Sequence, residues 1–260
     1  MPDRLDRGVH RADNHCWTVI QKRPMRTGDL VARPPVRQER RAQILDAMFE
    51  VIAVRGAAGA SISEIAEVAG VARGALHYFF ASKDEITCEL MRTLGTRYLD
   101  ELGAALDRRI AKANDVTPAA DATRARLVSD VARWHFRGEE DDVARRITVW
   151  IDFWGQAASH PEIRAVILEI QDGARALFAR ALLAQRPELA GLCPEQLASH
   201  TAALLALVEG TLLQWRCGLS GSSSLPREQM AEVAAHAAHT LACAISAERS
   251  PRRHSLSQAA

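Results

Sequence analysis

The chain has 260 residues, of which 48% are apolar and 5% aromatic, with 5 cysteines and a formal charge of +1. That length supports a sizeable core without disulfide or metal staples, and the near-neutral charge excludes a uniformly basic nucleic-acid coat. Cys16, Cys88, Cys193, Cys217 and Cys243 are odd in number and show no CxxC or Cys/His ligand spacing, so reduced thiols are expected, with a redox switch as the alternative.

Few glycines and abundant Ala and Leu favour an all-α protein. Residues 1–30 lack the apolar core of a signal peptide, and no apolar run reaches the ~18 residues of a membrane span, so a cytoplasmic protein without membrane contact is expected. Charge is uneven: residues 1–83 carry 13 Lys/Arg against 9 Asp/Glu, and the remainder 20 against 23. A basic end on a slightly acidic remainder fits DNA at that end and something else at the other.

Residues 1–36 carry four prolines and six arginines and read as a disordered basic extension. Such an arm can touch phosphate or the minor groove, or be an extension upstream of a start at Met25. A helix is expected over 37–55, with Ile44, Leu45, Met48, Phe49 and Ile52 as its buried stripe and Gly56 and Gly59 ending it.

The most informative stretch runs from Ser61 to Ile86. Ser61 with Glu64 forms a capping box, and Ile62, Ile65, Ala66 and Ala69 give the helix that follows one apolar face. Gly70 breaks it, Val71 pins the turn, and Ala72–Phe79 makes a second short helix. Ser82 with Glu85 caps a third helix that opens at Lys83. Helix, glycine-containing turn and short helix make the outline of a helix-turn-helix, whose second helix enters the DNA major groove. Ile65, Ala66, Ala69, Gly70, Val71, Gly74, Leu76, Tyr78, Phe80, Lys83 and Ile86 resemble the DNA-binding domain of the tetracycline-repressor (TetR) family of bacterial regulators. Two positions depart from that family's pattern: Ala72 replaces the usual Ser or Thr, and His77 replaces a phenol.

On this recognition helix Arg73 offers a planar fork that pairs with guanine or clamps a phosphate. Gly74 costs about 1 kcal/mol against Ala inside a helix, a cost that close approach to DNA would explain. His77 and Tyr78 are expected to face the DNA. Lys83 is expected to hold a phosphate at the start of its helix, and Ser61 and Ser63 to do the same one helix earlier. With Ala72, these are the candidate DNA-binding residues.

The helix from Lys83 runs to about Arg109, with Ile86, Leu90, Leu94, Tyr98, Leu102 and Leu106 on one face, and is the expected lever between the two ends. Asn114, Asp115, Thr117 and Pro118 mark a loop. Five further helices are expected at about 119–137, 140–158, 161–186, 194–218 and 226–247, about nine in all, followed by a disordered tail over 248–260. The domain division is therefore 1–36, 37–83, 84–247 and 248–260. Trp150, Phe153, Trp154, Ala157 and Pro161, with Leu207, Val208, Glu209, Gly210, Leu213 and Gly218, resemble the C-terminal domain of the betaine-synthesis repressors, the BetI-like branch of the same family. That resemblance implies a regulatory domain for a small-molecule effector.

Trp150 and Trp154 share a helix face, with Phe153 adjacent and Trp134 and His135 on the preceding helix. The cluster reads either as bundle core or as the lining of a pocket, where Glu209 would favour an organic cation. Asp152 lies about 160° from Trp150 on the helix, a poor position for a cage partner. Helices 194–218 and 226–247, the latter rich in Ala231, Ala234, Ala235, Ala238 and Ala242, are expected to pair with their mates in a homodimer. His236 and His239 lack a third ligand, so no metal and no cofactor is expected. G-x-S-x-G, a Gly-rich phosphate loop and H-E-x-x-H are all missing, which argues against an enzyme. The reading is a dimeric, ligand-responsive DNA-binding regulator, a repressor on the strength of the family resemblance. Its rivals are an activator, a small-molecule-binding protein with a degenerate head, and an enzyme using the C-terminal cavity.

Overall fold

The computed structural model describes residues 36–219 and 225–246. The expected basic arm at 1–36 (bar Val36) and the tail at 248–260 lie outside the described residues. Every described element is helical. Helix α1 (Val36–Gly59) buries Ile44, Leu45, Met48, Phe49 and Ile52. Gly56, at φ 73°, interrupts it without ending it, and one further turn follows. The break arises because only glycine takes that backbone conformation without a steric penalty.

Helices α2 (Ile62–Val68) and α3 (Arg73–Phe79) pack on α1. Ser61 caps α2 by accepting the Glu64 N–H at 3.2 Å. Gly70 turns the chain at φ 64°, and the Val71 N–H returns to the Ala66 carbonyl at 3.0 Å. Leu76 and Phe80, each 1% exposed, anchor the recognition segment to the core. Arg41 of α1 holds the end of α3 in place: it donates to the Phe79 carbonyl, pairs with Glu89, and lies 4.0 Å from the Phe80 ring centre.

Helix α4 (Lys83–Ala113) opens on Ser82, which accepts the Glu85 N–H, and spans 31 residues. At 1.5 Å per residue it is about 46 Å long. Its first half joins the core built on α1, through Ile86, Leu90 and Met91; its second half joins another core through Leu102 and Leu106. Helix α8 (Pro161–Gln185) runs beside it in the same direction. The crossing is close because Gly95 faces Ile170 and Gly173 faces Leu99, where an added Cβ would come within 2.3 and 2.5 Å of the facing side chain.

The helix expected over 119–137 is two helices, α5 (Pro118–Arg124) and α6 (Leu127–Trp134). No Gly or Pro separates them. The chain breaks at Arg126 (φ −116°, ψ 6°) because α5 lies on α4 whereas α6 is drawn onto α8 and α10. Gln185 accepts the Val128 N–H at 3.0 Å and so satisfies an amide at the new helix start. Helix α7 (Glu140–Ala157) packs on α1 and α8. A 3₁₀ turn (Pro187–Gly191) leads to α9 (Pro194–Arg216) and α10 (Arg227–Ala244). The described residues thus hold ten α-helices, one more than expected, and no strand.

The alanines of α10 do not do what their small size suggested. Ala231, Ala234, Ala235, Ala238 and Ala242 are all buried within this chain, and α10 packs on α6 and α9. Close helix approach is spent internally. The faces left outward are Ala198, Ala202, Ala203 and Ala206 on α9, and Val233, His236 and Thr240 on α10.

Candidate functional site

Two places concentrate chemistry. The first is the outer face of α3. Because Leu76 and Phe80 point inward, helical spacing turns Arg73, Gly74, His77 and Tyr78 outward, and all four are exposed. Tyr78 is 71% exposed, and the Arg37 guanidinium at the start of α1 lies 5.7 Å from its ring centre, adding positive charge beside the phenol. Gly74 has open space where a Cβ would be, so nothing inside this chain demands glycine there. Ala72 leaves α3 without a side-chain cap, unlike Ser61 and Ser82. Ser61 and Ser63 are exposed at the start of α2. Lys83 is different: its ammonium donates to the Ala57 carbonyl at 2.8 Å, so its charge at the helix start is answered from inside the chain.

The second place is a cavity of about 90 Å³ lined by α4, α7, α8 and α9 and by His135, just after α6. Trp150 and Trp154, one turn apart on α7, form one wall, with Ile147 and Ile151 beside them. Tyr98 of α4, His135 after α6, Gln171 of α8 and Glu209 of α9 supply the polar groups. Glu209 is the sole carboxylate in this lining. Burial raises its pKa, against the Gln171 side chain at 3.4 Å and the charge of Arg175. Among the described residues no ion pair reaches Glu209, and Arg175 is paired with Asp172, so the ionised form lacks a full counter-ion.

The imidazole of His135 has a determined tautomer. Its Nδ1 lies 2.8 Å from the Val131 carbonyl, which only accepts, so Nδ1 carries the hydrogen. Nε2 then accepts from the Tyr98 hydroxyl at 2.8 Å. Burial holds the His135 pKa down to about 4 and raises that of Tyr98, so both are neutral near pH 7. An adjoining chamber of about 90 Å³ shares Tyr98, His135, Ile147, Trp150 and Leu212, and adds Trp134, Arg97 and Arg146.

Most of the sequence-derived pocket candidates meet here. Trp150, Trp154, His135 and Glu209 line the main cavity, and Trp134 lines the adjoining one under the Arg137 guanidinium, 4.3 Å from its ring centre. Phe153 does not: it is fully buried in the core built on α1, where its ring meets Trp150 edge-on. At three residues from Trp150 it falls on the inner side of α7. Tyr98 and Gln171 were missed as pocket residues. Tyr98 was visible only as part of an apolar stripe, and its hydroxyl was the clue. Among the described residues no group of three or more metal-ligating side chains occurs, and no helix is long and apolar enough to cross a membrane.

Residues 44–90 match the bacterial regulatory proteins of the tetR family, and residues 124–242 match the C-terminal region of BetI-type transcriptional repressors. The HTH-type transcriptional regulator BetI of Rhizobium meliloti (strain 1021) is 28% identical over 170 residues, covering 64% of this chain and 74% of that one. The BetI regulator of Burkholderia mallei (strain NCTC 10229) is 33% identical over 132 residues, 50% of this chain and 60% of that one. Among solved structures, a transcriptional regulator from Pseudomonas aeruginosa PAO1 shares the fold at a TM-score of 0.61 and 20% identity, covering 80% of this chain and 92% of that one. A Saccharomonospora viridis regulator in complex with choline does so at 0.54 and 23% identity, covering 76% and 94%. The chain belongs to the TetR family of bacterial regulatory proteins, with a C-terminal region of the BetI type.

Proposed function

We propose that this chain is a dimeric repressor that binds an operator through α3 and is released by a small organic cation held in the cavity beside Trp150 and Trp154. Residues 37–83 act as the DNA-binding head, residues 84–247 as the effector and dimerisation region. The observation that carries the reading is the pairing of two surfaces: an outward α3 face of Arg73, Gly74, His77 and Tyr78, and an aromatic cavity whose one carboxylate, Glu209, lacks a full counter-ion. A cation at Glu209 would neutralise a costly buried charge, and the faces of Trp150, Trp154 and Tyr98 would stabilise it further. The solved regulator with choline shares this fold, which makes choline the natural first probe.

Arg73 would read guanine or clamp phosphate. Gly74 would let the α3 backbone approach, and Ala72, His77, Tyr78, Ser61 and Ser63 would contact backbone or bases. Lys83 would reach phosphate only with donors not committed to Ala57. Homodimerisation would use the outward faces of α9 and α10, which are small and uncharged at Ala202, Ala203 and Ala206. Two heads would then sit in successive major grooves, about 34–36 Å apart. The cavity would hold its ligand without turnover, because burial makes His135 a weak base and keeps the Tyr98 hydroxyl protonated. The setting is the bacterial cytoplasm.

The test is fluorescence anisotropy on duplex DNA from upstream of the chain's own gene, against random duplex, over a salt series. A salt-dependent preference of at least ~10³ is expected for an operator-specific dimer. Choline should then weaken operator binding, and Glu209→Gln should remove that effect. Equal binding to both duplexes would favour the degenerate-head reading.

A further inference from the structure

We infer that the carboxylate of Asp152 is the connector that carries cavity occupancy to the DNA-binding head, by gripping the backbone of Ala57; this rests on the effector reading of the cavity. Helix α1 breaks at Gly56. Its φ of 73° breaks the hydrogen-bond ladder of α1, so the Ala57 N–H no longer meets a carbonyl four residues back. Asp152, 95 residues further along the chain, accepts that N–H at 2.8 Å. The carboxylate sits so near that a Cβ on Gly56 would lie 3.2 Å from Asp152 Oδ2. Glycine at this position therefore serves both the turn and the carboxylate.

The carbonyl of the same residue is also held. Lys83, the first residue of α4, donates to it at 2.8 Å. Ala57 is thus tied to α7 through its N–H and to α4 through its C=O. Four residues later the chain reaches Ser61, the cap of α2. Any shift at Ala57 is passed directly to the start of the helix-turn-helix.

Helix α7 couples this grip to the cavity. At 100° per residue, Asp152 lies about 160° from both Trp150 and Trp154 around the helix. Those two residues face the cavity, whereas Asp152 faces α1. One rigid element thus presents the effector wall on one side and the head contact on the other. Val149 and Phe153 pack in the α1 core, and Arg145 pairs with Glu50, so α7 and α1 move together over a broad contact. Of the Asp152–Ala57 bond and the Arg145–Glu50 pair, the Asp152 bond lies nearer α2. An occupant that displaces Trp150 and Trp154 displaces Asp152, and Ala57 with it. Helix α4 also reaches both places, with Tyr98 at the cavity and Lys83 at the Ala57 carbonyl, and acts in parallel with α7.

The test needs no ligand. Leu213 lines the cavity from α9, and Leu213→Trp places a ring in the space an effector would take. Amide hydrogen exchange of residues 57–61 is followed in the full-length protein for wild type, Leu213→Trp, Asp152→Ala, Asp152→Asn and the Leu213→Trp/Asp152→Ala pair. Exchange is expected to rise by about tenfold or more in Leu213→Trp and in Asp152→Ala, with no further rise in the pair. Asp152→Asn keeps an acceptor for the Ala57 N–H and should stay near wild type. If Leu213→Trp does not unfold cooperatively, Leu212→Phe fills the same cavity from the same helix. Unchanged exchange on filling the cavity would overturn the proposal, as would an equal rise in the Asp152→Ala background. Failure of choline to release the operator would count against the effector reading and leave this outcome standing on its own.

Discussion

Two glycines that look alike in the sequence carry opposite expectations. Gly74 lies in a short helix with open space where a Cβ would be. Gly74→Ala should therefore stabilise the fold, by up to about 1 kcal/mol in urea denaturation, while weakening operator binding if the α3 backbone approaches DNA. Gly95 lies at the α4–α8 crossing, where a Cβ would come within 2.3 Å of Ile170 Cδ1 and 2.4 Å of its Cγ1. A β-branched side chain gives way poorly, so Gly95→Ala should cost about 1–3 kcal/mol despite the gain in helix propensity.

His135 supplies a pH dependence at the same scale. Burial holds its pKa to about 4, against 6.5 for the free side chain. The unfolded chain binds this proton more readily than the folded one, so the stability from the neutral imidazole is complete above about pH 6.5. It falls as pH drops towards 4, by about 3 kcal/mol in all. Glu209, whose pKa is raised, acts in the opposite sense, since the folded state takes up its proton first. The check is the slope of unfolding free energy between pH 7 and 4.5 in wild type and in His135→Gln; the variant, which keeps Glu209, should show the shallower fall.

Among elements, α1, α5 and α6 show where patterning stops being informative. The buried stripe of α1 was visible from Ile44 to Ile52 because apolar residues recur at helical spacing. Gly56 looked like a terminus, and the sequence had no means of showing that a carboxylate on α7 would rescue the next amide. The α5–α6 break is invisible in composition, since Ala125, Arg126 and Leu127 are all good helix formers. It exists because α4 pulls one half and α8 and α10 the other. The buried alanines of α10 follow the same rule: small side chains allow close approach, and the packing of α6 and α9 decides which neighbour uses it.

At the scale of the whole molecule, the long parallel pair α4 and α8 joins the core under α3 to the second core, and the cavity lies between the two. The proposed dimer would place a further demand on the outward faces of α9 and α10. Ala206→Glu inserts a charge on the exposed small-residue face without disturbing Leu204, Leu205 or Val208 inside. It is expected to shift the protein to monomer in sedimentation analysis and to weaken operator binding by more than tenfold, because a palindrome then engages one head at a time. Retention of the dimer would place the interface elsewhere.

The sequence by itself determined the helical class, the helix-turn-helix outline and the family, because these depend on local signals: capping serines, a turn glycine and apolar spacing within one element. It also brought out Trp150 and Trp154 with His135 beside Trp134, since aromatics are few and their helix spacing is readable, whereas Glu209 entered through the BetI-like pattern. Tertiary structure alone decided which of these face a cavity, why Phe153 does not, and that Tyr98 completes His135. It also decided that Lys83 and Asp152 meet at opposite ends of one alanine. Those contacts join residues from 26 to 95 positions apart, and such distances are set by how helices pack on one another, which no local pattern encodes.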